Sequence, residues 1–137
     1  MNALLDAQVK VAIGDFQLDV SLKLGREIGV LFGPSGSGKS VTLRCLAGLR
    51  KVPSGRITLS GRVLLDSPSG VCEPPHRRKM GLLFQDLALF PHMTALENVL
   101  FGCGRREKGK AVSIARDWLA RVRLGPLEDR YPSQLSG

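Results

Sequence analysis

Eight consecutive residues, Gly33-Pro34-Ser35-Gly36-Ser37-Gly38-Lys39-Ser40, concentrate the groups best able to grip a polyphosphate. They fit the pattern G-x-x-x-x-G-K-[ST] without a gap. Glycines at 33, 36 and 38 let the backbone adopt positive φ and pass close to an anion. Successive N–H groups can then turn inward as a nest. A helix that starts here adds free amides and a positive dipole end. Lys39 supplies a full charge, and the Ser40 hydroxyl is a hard oxygen suited to Mg²⁺. Ordinary residue frequencies give this pattern by chance in on the order of one in two hundred chains of this length. The surroundings must therefore confirm it.

They do so at the level of pattern. Ile28-Gly29-Val30-Leu31-Phe32 is a short continuous apolar run, which predicts a strand buried on both faces. Ser40–Ala47 predicts the helix that follows, ending near Gly48. Upstream, Val9, Val11 and Ile13 alternate with Lys10 and Ala12, and Phe16, Leu18, Val20, Leu22 and Leu24 alternate likewise. Both read as half-buried strands joined by a tight turn at Gly14-Asp15. Arg56–Leu59 and Arg62–Leu65 flank Ser60-Gly61, a hairpin signal. Residues 66–76 read as a loop, and Met80–Phe84 as another apolar strand.

The character then changes. Thr94-Ala95-Leu96-Glu97 is a capping box, in which hydroxyl and carboxylate satisfy free amides reciprocally. It opens a helix to Phe101, closed by Gly102. Ala111, Ile114, Ala115, Trp118, Leu119 and Val122 fall on one face at helical spacing, and that helix ends before Gly125-Pro126.

At 137 residues there is room for one domain. No apolar run approaches the roughly 20 residues of a membrane span. The start has neither a basic segment nor a long apolar one, so a cytosolic location is the expectation, without direct membrane insertion. Cys45, Cys72 and Cys103 are odd in number and lack C-x-x-C spacing, which argues against a disulfide framework or zinc site. The net charge of +8 raises nucleic-acid binding, but the basic residues, as in Arg77-Arg78-Lys79, are dispersed and not interleaved with aromatics. No nucleic-acid partner is expected.

The ordered set of segments resembles an ABC (ATP-binding-cassette) transport ATPase. Ser35–Ser40 continues into Leu43-Arg44-Cys45-Leu46-Ala47-Gly48-Leu49, and Pro53-Ser54-Gly55 precedes a strand. Next come Gly81-Leu82-Leu83-Phe84-Gln85-Asp86-Leu87-Ala88-Leu89-Phe90-Pro91-His92-Met93-Thr94 and Glu97-Asn98-Val99. Tyr131-Pro132-Ser133-Gln134-Leu135-Ser136-Gly137 leads into the opening of an LSGGQ-like signature. A phosphate loop alone would not separate this family from kinases or GTPases; the series does. The likeness is greatest to importers of the molybdate type, on Ile13-Gly14-Asp15-Phe16-Gln17-Leu18-Asp19-Val20 and on Gly61-Arg62-Val63-Leu64-Leu65-Asp66 before Pro74-Pro75-His76-Arg77-Arg78. Sulfate- and sugar-type importers share much of this.

The resemblance implies an α/β fold. It would be a P-loop NTPase core with an N-terminal antiparallel β subdomain and the start of a helical subdomain, an incomplete domain. Residues 1–86 would form the ATP-binding part and residues 87–137 the helical part, up to the signature. Gly33, Pro34, Ser35, Gly36, Ser37, Gly38, Lys39, Ser40 and Val41 would bind ATP. Lys39 and Gln85 would serve catalysis, and Ser40 and Gln85 would hold Mg²⁺. The segment Asp86–Gly102 would face transmembrane permease subunits, although Leu87, Leu89 and Phe90 fit a subdomain core equally well. Leu135-Ser136-Gly137 would reach ATP held by a second ATPase subunit. The protein would then lie on the cytoplasmic face of the inner membrane through its permease.

Two departures stand out near the loop. Val41 replaces a common hydroxyl. No aromatic takes the usual place against adenine, which falls near Lys10; Phe16 is the nearest, but it continues the alternating core face, which favours a core role. No apolar run ends in Asp-Glu, the Walker B pattern: Val63-Leu64-Leu65-Asp66 is followed by Ser67. His76 and His92 come too early for a switch histidine. The chain thus reads as the N-terminal portion of an importer ATPase that binds ATP without hydrolysing it alone, with sheet edges and apolar faces left exposed. The alternative is a truncated, non-hydrolysing nucleotide-binding or interaction fragment. A small-molecule kinase is disfavoured by the Gln85 and Leu135 context.

Overall fold

The computed structural model describes residues 4–85, 88–104 and 108–135. The chain divides into two units, Met1–Leu83 and Phe84–Gly137.

The first unit is built on a five-stranded antiparallel sheet. Its strands are β1 (Leu5–Ile13), β2 (Phe16–Leu24), β3 (Ser54–Leu59), β4 (Arg62–Asp66) and β5 (Val71–Cys72), in the order β2-β1-β3-β4-β5. The alternation in β1 decides which face is inside: Leu5, Ala7, Val9 and Val11 are buried, and their neighbours are not. Across the β1–β2 pair, Lys10 lies opposite Asp19 and Asp6 opposite Lys23. Both pairs close as ion pairs, at 2.8 and 3.3 Å. Exposed pairs of this kind add little energy, but they agree with the register the apolar face demands.

The Ser60-Gly61 turn is as expected, with φ of 51° and 78° at its two positions. A register shift between Ile57 and Thr58 leaves Leu64 as the extra residue on β4. This bulge explains how adjacent Leu64 and Leu65 are both buried. The loop expected over residues 66–76 contains β5, paired to β4, and a 3₁₀ turn at Pro75–Arg77. Against the buried sheet face packs α1 (Lys39–Leu46), which contributes Cys45 and Leu46 to the core.

Two expected strands are absent. Residues 28–32 form none: Ile28 is 95% and Phe32 99% exposed. Met80–Phe84 forms none either, and Leu83 is 87% exposed. A strand of parallel type needs a hydrogen-bonding neighbour, and none of the described strands pairs with these runs.

The second unit holds α2 (Ala95–Gly102) and α3 (Lys108–Arg121), with 3₁₀ turns at Gly125–Leu127 and Pro132–Gln134. The capping box forms in full: Glu97 N donates to Thr94 Oγ1 at 3.2 Å, and Thr94 N to Glu97 Oε2 at 2.7 Å. On α3 the buried stripe is narrower than its pattern suggests. Ala111, Ala115 and Leu119 are buried, whereas Trp118 and Val122 are exposed. Trp118 instead lies under the Arg121 guanidinium, 4.9 Å from its ring centroid. Leu89 is exposed, while Phe90 is half-buried against Phe101, with centroids 4.6 Å apart. Leu87 lies outside the described residues. Among those described, no helix is long and apolar enough to cross a membrane.

Gly55 is where the sheet tolerates least. A Cβ there would lie 2.2 Å from the Gln8 carbonyl oxygen on β1. Gly55→Ala is expected to cost about 1–3 kcal/mol by overpacking, read as a lower urea midpoint with an unchanged slope.

Candidate functional site

The phosphate-loop pattern folds as its glycines require. Gly36 and Gly38 sit at φ 82° and 90°. Gly33 is confined differently: a Cβ there would lie 2.9 Å from Ser37 Oγ. Gly38 is the N-cap of α1 and offers no side-chain cap, and the first turn holds no acidic residue. The first helical bond runs from Thr42 N to Gly38 O at 2.8 Å. The amides of Lys39, Ser40 and Val41 therefore have no backbone acceptor among the described residues. The helix α2 makes the contrast clear. Its Ala95 and Leu96 amides donate to the carbonyls of Arg130 and Glu128, at 2.8 and 2.9 Å. Glu97 N goes to the Thr94 cap. Helix α1 leaves undone what α2 completes from within the chain. Such an end suits an external anion.

Lys39 is half-buried and folds back over the loop. Its ammonium donates to the Gly33 and Pro34 carbonyls at 2.8 and 2.7 Å, with Ser37 Oγ at 3.4 Å. The charge is thus held at the carbonyls of the loop that leads into the open amides. Ser40 is exposed, so its hydroxyl is accessible to a metal ion. Thr42, two residues on, is buried and spends its hydroxyl on Gly38 O at 3.0 Å, so it is not a ligand. Val41 is half-buried and packs against the core. The loop and helix therefore bring together the residues from Gly33 to Val41. These groups fit a nucleotide's phosphates and a Mg²⁺ ion held with them. Gln85 belongs to the second unit, exposed in a turn. Leu135 is half-buried; Asp86, Ser136 and Gly137 lie outside the described residues.

Phe16 is not a core residue: it is 37% exposed. A Cβ on Gly38 would stand 3.1 Å from its ring and 2.6 Å from Leu18 Cδ1, so the ring lies against the base of the loop. Lys10 is exposed and committed to Asp19. His76 and His92 are exposed, as expected, and His92 meets Phe90 edge to ring at 6.0 Å.

The sequence reading overlooked Arg78, placed there among dispersed basic residues. It is 2% exposed and donates to the Cys45 and Leu46 carbonyls at the far end of α1. The only available signal was the rigid Pro74-Pro75 pair just upstream, which does not reveal burial. Cys45 itself is fully buried, and burial pushes its thiol pKa up, with Arg50 and Arg78 opposing.

With this geometry in place, comparison with known proteins identifies the family. The family described as ABC transporter matches residues 17–137. The chain belongs to this family. It is 45% identical to the molybdenum import ATP-binding protein ModC of Methylococcus capsulatus, over 89% of this chain and 34% of that protein. With ModC of Aliivibrio fischeri it shares 43% identity, over 94% of this chain and 35% of the relative. The chain thus spans about a third of the length of the curated relatives it matches. Among solved structures, the dimeric bacterial ABC transporter cassette MJ0796 superposes with a TM-score of 0.71 at 26% identity. The match covers 97% of this chain and 63% of that one. A second structure of MJ0796, bound to ADP and Pi, matches with a TM-score of 0.70. The fold is thus that of ABC cassettes, of mixed α and β type, over part of their length.

The two left-handed glycines of the loop should differ in their tolerance. A Cβ on Gly36 meets nothing within 4 Å, whereas one on Gly38 strikes Leu18. Gly36→Ala is expected to cost about 1 kcal/mol from backbone strain alone. Gly38→Ala adds a steric term and should cost about 2–3 kcal/mol. Urea denaturation of the two variants checks the order.

Proposed function

We propose that this chain is the phosphate-gripping part of an ABC transporter's ATP-binding subunit. In the longer protein it couples ATP binding and hydrolysis to import of a small solute, an oxyanion such as molybdate. The observation that carries the reading is the open end of α1, where amides with no acceptor among the described residues follow a loop that holds the Lys39 ammonium, beside an exposed Ser40 hydroxyl. The solute rests on the relatives, which are named for molybdenum import.

In this reading the amides and Lys39 would hold the β- and γ-phosphates, and Ser40 would help hold a Mg²⁺ ion, which would supply neutralisation of phosphate charge. Gln85 would be a further holder of the metal and a contact to the attacking water. Residues 1–86 act as the ATP-binding part and residues 87–137 as the helical part that runs to the signature, with the segment Asp86–Gly102 facing the permease. A second ATPase subunit completes each site, and the assembly sits at the cytoplasmic face of the inner membrane. A second reading, a non-hydrolysing nucleotide-binding fragment, is favoured for the chain alone by one observation. No apolar run in it ends in Asp-Glu, so no carboxylate is supplied to orient water.

Calorimetric titration with Mg²⁺-ATP tests the site. Binding by the parent chain and a loss of at least about tenfold, or 1.4 kcal/mol, in Lys39→Ala are expected. Equal affinity in the two would sink the reading. Phosphate release by the chain alone should not exceed the uncatalysed rate; steady turnover would exclude the second reading.

A further inference from the structure

Arg78 is a buried cation with no carboxylate partner among the described residues. A buried charge must be compensated by hydrogen bonds or oriented dipoles. Here Nη1 donates to the Cys45 and Leu46 carbonyls at 3.0 and 2.8 Å, and Nε to the Glu73 carbonyl at 2.8 Å. The first two carbonyls belong to the last turn of α1, the negative end of its dipole. The remaining carbonyls of that turn are largely met within the chain: Leu43 O accepts from Ala47, Arg44 O from Leu49, and Cys45 O also from Gly48. The Leu46 carbonyl accepts from the Arg78 guanidinium and from no backbone amide among the described residues. The exit of the helix is shaped around this side chain. Gly48 turns at φ 78°, and a Cβ there would lie 2.5 Å from Arg78 Nε.

We propose that Arg78 is a positioning residue for the phosphate loop. Helix α1 has only eight residues, roughly 12 Å of rod. Fixing its last carbonyls fixes where its first amides point. Arg78 ties that end to the Glu73 carbonyl, just past the sheet's last strand, and so braces α1 from behind against the pull of an anion at its front. The charge and the helix hold each other: Arg78 is solvated by the dipole end that it stabilises. This inference rests on reading Gly33–Val41 as the nucleotide site.

The test compares Arg78→Met and Arg78→Lys in the same 137-residue chain. Three quantities are read: Mg²⁺-ATP affinity, the amide resonances of Ser35–Val41 without nucleotide, and the urea midpoint. Arg78→Met should displace the Lys39, Ser40 and Val41 resonances and weaken binding by about tenfold or more, as when a supporting contact behind a ligand group is lost. Arg78→Lys keeps the charge without the guanidinium fork and should recover part of both. If Arg78→Met only lowers the midpoint, with loop resonances and affinity unchanged, Arg78 is merely structural and the proposal fails. Should Arg78→Met not fold, Arg78→Lys decides by the same criterion. A parent chain that does not bind Mg²⁺-ATP overturns the site reading instead. The amide shifts are read without nucleotide and judge the bracing separately.

Discussion

A helix begins with amides that its own backbone cannot satisfy, and something else must accept them. In α2 the chain supplies the acceptors itself, from a threonine hydroxyl and two carbonyls. In α1 none of the described residues supplies one, and a glycine stands where a capping side chain would. The rest of the first unit serves that omission. The antiparallel sheet gives α1 a floor through Cys45 and Leu46. Leu18 and Phe16 close up against Gly38, and Lys39 is drawn over the loop carbonyls. The unfinished end is thus kept at a fixed place and in a fixed orientation.

How much of this could be read beforehand depended on the range of the interactions. The β1–β2 hairpin, the Ser60-Gly61 turn and the Thr94 capping box are set by residues near one another in the chain, and the structure has all three. The loop from Gly33 to Ser40 was legible for the same reason, since its spacing is its chemistry. The two apolar runs at 28–32 and 80–84 were misjudged because a strand is a relation, not a composition. Hydrophobicity makes a segment willing to pair but cannot provide the neighbour. Trp118 and Val122 were assigned to the inner face by spacing, yet the width of a buried stripe is set by what covers it. Arg78 was hidden altogether, because no local pattern distinguishes a buried arginine from a solvated one.

The two apolar runs and the sheet also differ in what they leave open. The outermost strands of the sheet are guarded: β5 is two residues long, and β2 carries Lys23 and Asp19 in cross-strand ion pairs. Ile28, Val30 and Phe32 have no comparable protection, and they lie directly before the phosphate loop. The part of the first unit that is complete by its own contacts is therefore the antiparallel sheet with α1. The incomplete part is the stretch that delivers the chain to Gly33.

Burial of Cys45 has a practical corollary. Its sulfur lies in the contact between α1 and the sheet, and its raised pKa keeps it as the unreactive thiol near neutral pH. Cys72, on the edge strand, is exposed. An alkylating reagent therefore marks Cys72 early and reaches Cys45 only when the helix lifts from the sheet. The chain carries its own reporter for that opening, placed on the helix that follows the loop.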